Sequence, residues 1–495
     1  MVALRFRHPS PVVCSVLLTF LMLAIGLGRA RSQAPAKPAP AQASSQAEKK
    51  DDKPAPAGPF RLHGALHAPD WLLFGGSQRT RYEGLANQFR PGLDAHDQAV
   101  LLRTLLTLGA RFRSLSVVGE LQDARAYLTD EQSGISTIVV NALEPLQAYA
   151  NLHLDEVLGR EAVLDLRVGR QSIDLGSRRL IARNRFRNTI QSYDGITSRF
   201  RSPGGTELFA FVVLPVLIEP ESGDRAALLK NRIELDRERL GFSLWGVHFK
   251  RPLWQDVALE TYLFGLHERD GAGYPTRNRR LYTEGLRLVR AAGEGVWDVD
   301  VESVLQLGSR RSSADPADVQ DRRVLAHFHH ASLGYTFEVP WLPRLSAELD
   351  YASGDAASTP GRNERFDSLF GPRRADFGPT NLYGPLGREN IISAGLRAGA
   401  EPAPRLDGYV SFRANWLAST TDTFARTGVR DPDGQSGRFA GHQIELRTRV
   451  WLLMDTLRWE LGGAALIVGP FLRDAPNATR NGHPLFAYTD LEWLF

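Results

Sequence analysis

Residues 296–307, VWDVDVESVLQL, set Asp298, Asp300, Glu302 and Gln306 in alternation with Trp297, Val299, Val301, Leu305 and Leu307; only Ser303 and Val304 break the order. A period of two is that of a β-strand with one apolar and one polar face. In a soluble sheet the apolar face covers a core and the carboxylates meet bulk water. In a membrane barrel the apolar face meets lipid and the carboxylates line a hydrated interior. The segment fits both, so the rest of the chain has to decide.

The pattern recurs. In LLRTLLTLGARF, Leu102, Leu106, Leu108, Ala110 and Phe112 share one face, and Arg103, Thr107 and Arg111 the other, with Leu105 as an exception. In VLDLRVGRQ, Leu164, Leu166 and Val168 oppose Asp165, Arg167 and Gln171; QIELRTRV and LSAELDY alternate in the same way. Gly, Pro, Asp and Arg-rich turns separate these runs, and no amphipathic helix of useful length follows residue 60. The fold class is all-β.

Three features favour the barrel over a sandwich. Trp297, Tyr335, Tyr351, Trp416 and Trp459 recur near strand ends, as residues of an aromatic girdle do. The polar faces mix Arg with Asp and Glu on neighbouring strands, which suits charges pairing across a lumen. The terminal FAYTDLEWLF alternates Leu491, Trp493 and Phe495 with Asp490 and Glu492 and closes on an aromatic residue.

The N-terminus fixes the compartment. Arg5, Arg7 and His8 precede the apolar run Val12–Leu27, and small residues follow near Ala30 and Ser32. This is the pattern of a secretory signal peptide over residues 1–32, and the run is too short to span a bilayer. Cys14, the one cysteine, lies inside it. The mature chain then has no disulfide, thiolate metal site or cysteine nucleophile. Residues 33–59, rich in Pro and Ala, form a flexible linker. Residues 60–495 make the transmembrane antiparallel barrel, long enough for an even number of about 16 to 20 strands.

Several stretches resemble the alginate-export family of bacterial outer-membrane barrels. LRVGRQSIDLGSRRLIARNRFRNTIQSYDG (166–195) is similar to that family's strand, Gly-Arg-Gln and loop pattern. DYASGD (350–355), FDSLFGPRRADFGPTNLYGPLGRENI (366–391), YVSFRANWLAS and YTDLEWLF resemble its later strands and long loop. The resemblance covers most of residues 75–495. It implies an 18-stranded barrel that exports an anionic polysaccharide through an arginine-lined constriction, in the outer membrane of a Gram-negative envelope. Carried onto this sequence, the lumen path comprises Arg81, Arg103, Arg167, Arg170, Arg388 and Arg458. One departure is visible. LQAYANL (146–152) stands where the exporter type carries an Arg-Glu pair on the strand before Gly-Arg-Gln.

A pore needs a field that attracts its permeant without trapping it. Arginines would offer a polyuronate successive charge-assisted hydrogen bonds, and acids such as Glu120, Asp165, Glu348 and Glu445 would keep each partly satisfied. The plainer reading is that such ladders only neutralise and stiffen the wall. The segment GSRRLIARNRFRN carries Arg178, Arg179, Arg183, Arg185 and Arg187 without acids of its own. It reads by default as a solvated basic loop; outside the cell it could bind lipopolysaccharide phosphates, and folded inward it could gate the pore. His327 and His329 of HFHH share a strand face with no carboxylate fixed nearby, and no hydrolase, zinc or phosphate-loop motif occurs. No cofactor, metal or nucleic-acid partner is expected. The partners are membrane lipid, an anionic polysaccharide or small anionic solute, and periplasmic export proteins. The expected function is a non-enzymatic export channel. A diffusion porin for small anions and a barrel-borne hydrolase are the alternatives.

Overall fold

The computed structural model describes residues 62–495 except 222, 255, 272 and 357–360, so the expected leader and linker, residues 1–32 and 33–59, lie outside the described residues. The first half of the sheet comprises β1 (Leu72–Ala86), β2 (His96–Phe112), β3 (Leu115–Tyr127), β4 (Asn141–Asp155), β5 (Val163–Gln171), β6 (Tyr193–Arg201), β7 (Glu207–Pro215), β8 (Phe242–Pro252) and β9 (Val257–Glu268). The second comprises β10 (Arg280–Arg290), β11 (Trp297–Arg310), β12 (Arg322–Thr336), β13 (Arg344–Ala352), β15 (Ile391–Ala403), β16 (Leu406–Trp416), β17 (Phe439–Leu453), β18 (Leu457–Val468) and β19 (Leu485–Leu494). Each runs antiparallel to the next. β19 returns to β1 from Ser77↔Leu494 to Ala86↔Leu485 and closes the ring. A two-residue strand, β14 (Arg362–Asn363), only adds in parallel to the rim of β12, so the barrel itself has 18 strands. Closure leaves no edge whose backbone groups would stand unpaired in hydrocarbon.

The opening question is answered on β11. Asp298, Glu302 and Gln306 point inward and are buried, while Trp297 and Leu307 point outward and are about 40% exposed, at 40% and 39%. The exceptions at Ser303 and Val304 are of chemistry and not of register: pairing runs unbroken through them, so Val304 enters the lumen and Ser303 faces the lipid side. On β2, Leu105 likewise turns inward while Leu106 and Leu108 face out.

The two rims differ. At the end holding the chain's C-terminus, turns are short, as at residues 113–114, 404–405 and 454–456. At the other end the connections are long, notably 172–192, 216–241, 353–390 and 417–438. In outer-membrane barrels short turns are periplasmic and long loops extracellular. Trp71, Phe112, Trp254, Trp297, Trp341, Trp459 and Trp493 are exposed around the turn end, and Tyr82, Tyr127 and Tyr282 toward the loop end. These are the two girdles.

Inside, aromatic rings of one strand lie flat on glycines of its neighbour. A Cβ on Gly285 would come within 2.2 Å of the Tyr262 ring, and one on Gly462 within 2.6 Å of Tyr488. The missing side chains let large rings stack against the curved wall.

Candidate functional site

Two long loops leave the loop end and descend into the bore. Residues 172–192 and 353–390 join each other there: the Phe370 amide donates to the Leu180 carbonyl at 2.9 Å, and Ile181 bridges Phe370. Gly371 lies so close to this crossing that a Cβ would sit 1.7 Å from the Arg179 carbonyl oxygen. Asp376 to Asn390 are all buried. Leu180, Ile181, Phe186, Phe366, Phe377, Leu382, Tyr383 and Leu386 pack with Phe328, Phe486 and Tyr488 of the wall into one apolar cluster. The basic segment 177–188 is therefore inserted rather than solvated. Most of its acids come from the wall: Arg183 pairs with Glu120 of β3 at 2.7 Å, and Arg179 with Glu302 at 2.8 Å and Asp300 at 3.0 Å, both on β11. Asp174 and Asp376 of the two loops hold Arg178 and Arg179 at 3.1 and 3.2 Å.

The six expected arginines fall into three groups. Arg81, Arg103 and Arg458 share the carboxylates of β19. Arg81 holds Asp490 at 2.5 Å, while Glu492 lies 3.4 Å from Arg103 and also pairs with Arg458. Arg81 and Arg103 also grip the inserted loop. Arg81 donates to the Phe186 carbonyl at 2.7 Å with its guanidinium 4.0 Å above the Phe186 ring, and Arg103 donates to the carbonyls of Arg185 and Arg187. Arg167 and Arg170 stand apart on β5 and, three residues apart on a strand paired without a shift, face opposite ways. Arg167 looks into the lumen with Asp165 and Gln171, whereas Arg170 shares the outer face with Val168 and so falls outside the expected lumen path. Arg170 is held by Glu144 at 2.5 Å and Asp194 at 2.9 Å; Arg167 donates to Asn151 and lies against Tyr149. Arg388 sits on the inserted loop just before β15, buried, paired with Asp376 and donating to the carbonyls of Arg179 and Pro372. The named acids are likewise engaged: Asp165 with Arg201 and His153, Glu348 with Arg413, Glu445 with Arg374.

Sequence reasoning missed Arg79, which clamps the carbonyls of Arg185 and Arg187 at 2.7 and 2.9 Å and is fully buried. The signal was available, since Arg79 lies two residues from Arg81 and must share its face. It also missed a second arginine group, drawn from four loops. Arg90 donates to the carbonyls of Leu382 and Tyr383, Arg373 to those of Gly384 and Leu386, and the Arg426 amide to that of Pro385. Arg373 and Arg426 flank Gly387, and Arg187 lies close enough to feel Arg426. Glu389, shared with Arg365, is the one carboxylate in ion-pair contact with the four among the described residues, through Arg426. Burial, reinforced by Arg426, pushes the Arg187 guanidinium down to about 10, and burial does the same to Arg90. Arg373, buried and facing Arg426 and Arg187, is pushed well below its ordinary value. Burial is the first cause in each, and neighbouring guanidinium groups add to it at Arg187 and Arg373.

A sequence profile of the family described as alginate export matches residues 70–486. No curated protein sequence matches the chain. Among solved structures, OccK8 (OprE) of Pseudomonas aeruginosa is similar with a TM-score of 0.55 at 10% identity, covering 86% of this chain and 98% of that one. OpdQ of the same organism gives 0.54 at 10% identity over 85% and 98%. OpdK, solved with vanillate, gives 0.52 at 13% over the same shares. At such identities the likeness carries the fold, a porin-type outer-membrane barrel. With the family, it puts the chain in the outer membrane of a Gram-negative envelope.

Proposed function

The chain belongs to the alginate export family, and on that footing we propose that it conducts an anionic polysaccharide, alginate-like in carrying one carboxylate per sugar, through its arginine-lined lumen. The observation that carries this reading is the group Arg90, Arg187, Arg373 and Arg426, whose charges outnumber the carboxylates that touch them. A carboxylate entering between the loops would supply the absent counter-charge through planar, bidentate hydrogen bonds. The wall arginines Arg81, Arg103, Arg167 and Arg458, and Arg388 on the inserted loop, already have acidic or carbonyl partners. They would hand a polyanion along by exchange, so that binding is weak and repeated, as conduction requires. Periplasmic export proteins would deliver the polymer, and the family and its fold neighbours point to transport rather than catalysis.

A second reading, a diffusion channel for small organic anions, is favoured by the depth at which Asp376 to Asn390 are packed, which leaves less room for a polymer than for a solute. Conductance in planar bilayers separates the two. The export reading expects anion selectivity, block by polyuronate from either side, and at least a fivefold weaker block in Arg187→Ala or Arg373→Ala. Selectivity and conductance that ignore polyuronate would overturn it and leave the small-anion channel.

A further inference from the structure

The outer face of β10, β11 and β12 carries a carboxylate and two imidazoles among apolar lipid-facing residues. Glu284 projects outward from β10 between Tyr282 and Leu286 and is exposed. Two strands away, His327 and His329 project outward from β12. Their rings are linked, His327 Nδ1 to His329 Nε2 at 3.1 Å, and His329 Nδ1 meets Ser303 Oγ of β11 at 3.0 Å. Tyr351 of β13 stacks on His327 at 5.1 Å. This engages three of the four imidazole nitrogens. Among the described residues no side chain pairs with Glu284 or with His327 Nε2. Leu286, Leu307 and Leu325 surround the patch, each well exposed.

A carboxylate on the lipid face of a barrel is costly. Apolar contact between proteins in a bilayer gains little over contact with acyl chains, so association there is set by polar pairing and close packing. What matters is whether the patch is complementary to itself. The hydrogen-bonded row through Glu284 passes Leu305 and reaches His327. Followed from Ser77 through rising strand numbers, such rows come back to β1 beyond its loop end, so they climb toward that rim. On β12 the position level with Glu284 therefore lies below His327, toward His329. A two-fold axis along the membrane normal, passing beside Ser303 and Leu305, exchanges β10 with β12. It brings the Glu284 of each barrel to the histidine pair of the other, at one height.

We infer that this face is an isologous contact between two copies of the chain, closed by two Glu284–histidine pairs. The carboxylate accepts from His327 Nε2, the one ring nitrogen left over, and Leu305 packs near the axis. The contact is independent of what the lumen conducts.

Cys14 lies in the expected leader, so single cysteines can report the geometry in the processed full-length barrel. Leu305→Cys, beside the axis, is expected to form a disulfide dimer on mild oxidation in native outer membranes. Leu461→Cys, exposed on the outer face of β18, should not. Native mass spectrometry of the wild type released into mild detergent should show the dimer, and Glu284→Gln should raise its dissociation constant at least tenfold while the barrel keeps its heat-dependent gel shift. A wild type that is monomeric in that measurement, or Leu305→Cys cross-linking no better than Leu461→Cys, overturns the inference. So does a wild type that retains glycolipid at this face in place of a second copy.

Discussion

Replacing Arg179 by methionine tests whether wall carboxylates hold the inserted loops in the bore. Arg179 is 6% exposed and reaches three acids: Glu302 at 2.8 Å, Asp300 at 3.0 Å and Asp376 at 3.2 Å. Burial lowers its affinity for a proton, but Asp300, Asp376 and Glu302 more than offset this and hold the guanidinium well above its ordinary value. In Arg179→Met, Asp300 keeps Arg287 at 2.7 Å and Asp376 keeps Arg388. Glu302 is left with two neutral donors, Ser177 at 3.0 Å and Tyr262 at 2.7 Å. The change therefore comes to one buried carboxylate without a cation, about 3–5 kcal/mol. That cost falls on the inserted state, because withdrawal of the loop admits water to Glu302. The ratio of inserted to withdrawn loops should drop by about a hundredfold to a few thousandfold, at about 1.4 kcal/mol per decade. Single-channel records should show long-lived openings absent from the wild type, and protease should cut within 172–192. Adding Glu302→Met removes the stranded charge and should restore most of the closed time. If Arg179→Met keeps wild-type closures and protease resistance, ionic anchoring is not what retains the loops.

Gly371→Ala should act on the same crossing from the backbone side, since its Cβ meets the Arg179 carbonyl at 1.7 Å; a loss of about 1–3 kcal/mol should appear as faster hydrogen exchange at the Phe370 amide. Asp236, in the loop 216–241, is pushed up to about 7 by burial and by Glu144. Its folded pKa exceeds its unfolded value of about 3.9, so the native state binds the extra proton and docking of this loop weakens as pH rises from about 4 to about 7. Hydrogen exchange across that range should show the trend, and Asp236→Asn should flatten it. Deleting Phe495 removes two backbone bonds to Gly76, at 2.9 and 3.0 Å, and should slow acquisition of the heat-dependent gel shift during refolding.

The face of most wall residues was legible because lipid and water stand on opposite sides of one strand, which imprints a period of two on the chain. That contrast placed Asp298, Glu302, Arg81 and Arg103 inward, and it put Trp297 and Trp493 outward, with nothing known of their neighbours. Arg170, carried into the lumen by resemblance, faces out instead. Pairing was not legible. Arg81 meets Asp490 across the closing seam, and Arg179 meets residues of β11 far along the chain. Such contacts depend on registers accumulated round the ring, not on local spacing. The basic run at 178–187 looked unmatched for the same reason, and its default placement in solvent was wrong because most of its counter-charges are on the wall. The arginine group at Leu382–Gly387 was harder still. Its members come from four connections of irregular backbone, where no periodicity exists to align them.

The seam between β1 and β19 governs when the molecule can come into being. The first strand to emerge from synthesis acquires its second neighbour only from the last, so no intermediate with fewer strands is free of raw backbone at both borders. Translation and insertion are thereby uncoupled: a polypeptide halted before residue 485 has no stable place in hydrocarbon, however many hairpins it has formed. Contacts of such long sequence separation fold slowly. The envelope must therefore shelter the whole unfinished strip until its two borders meet.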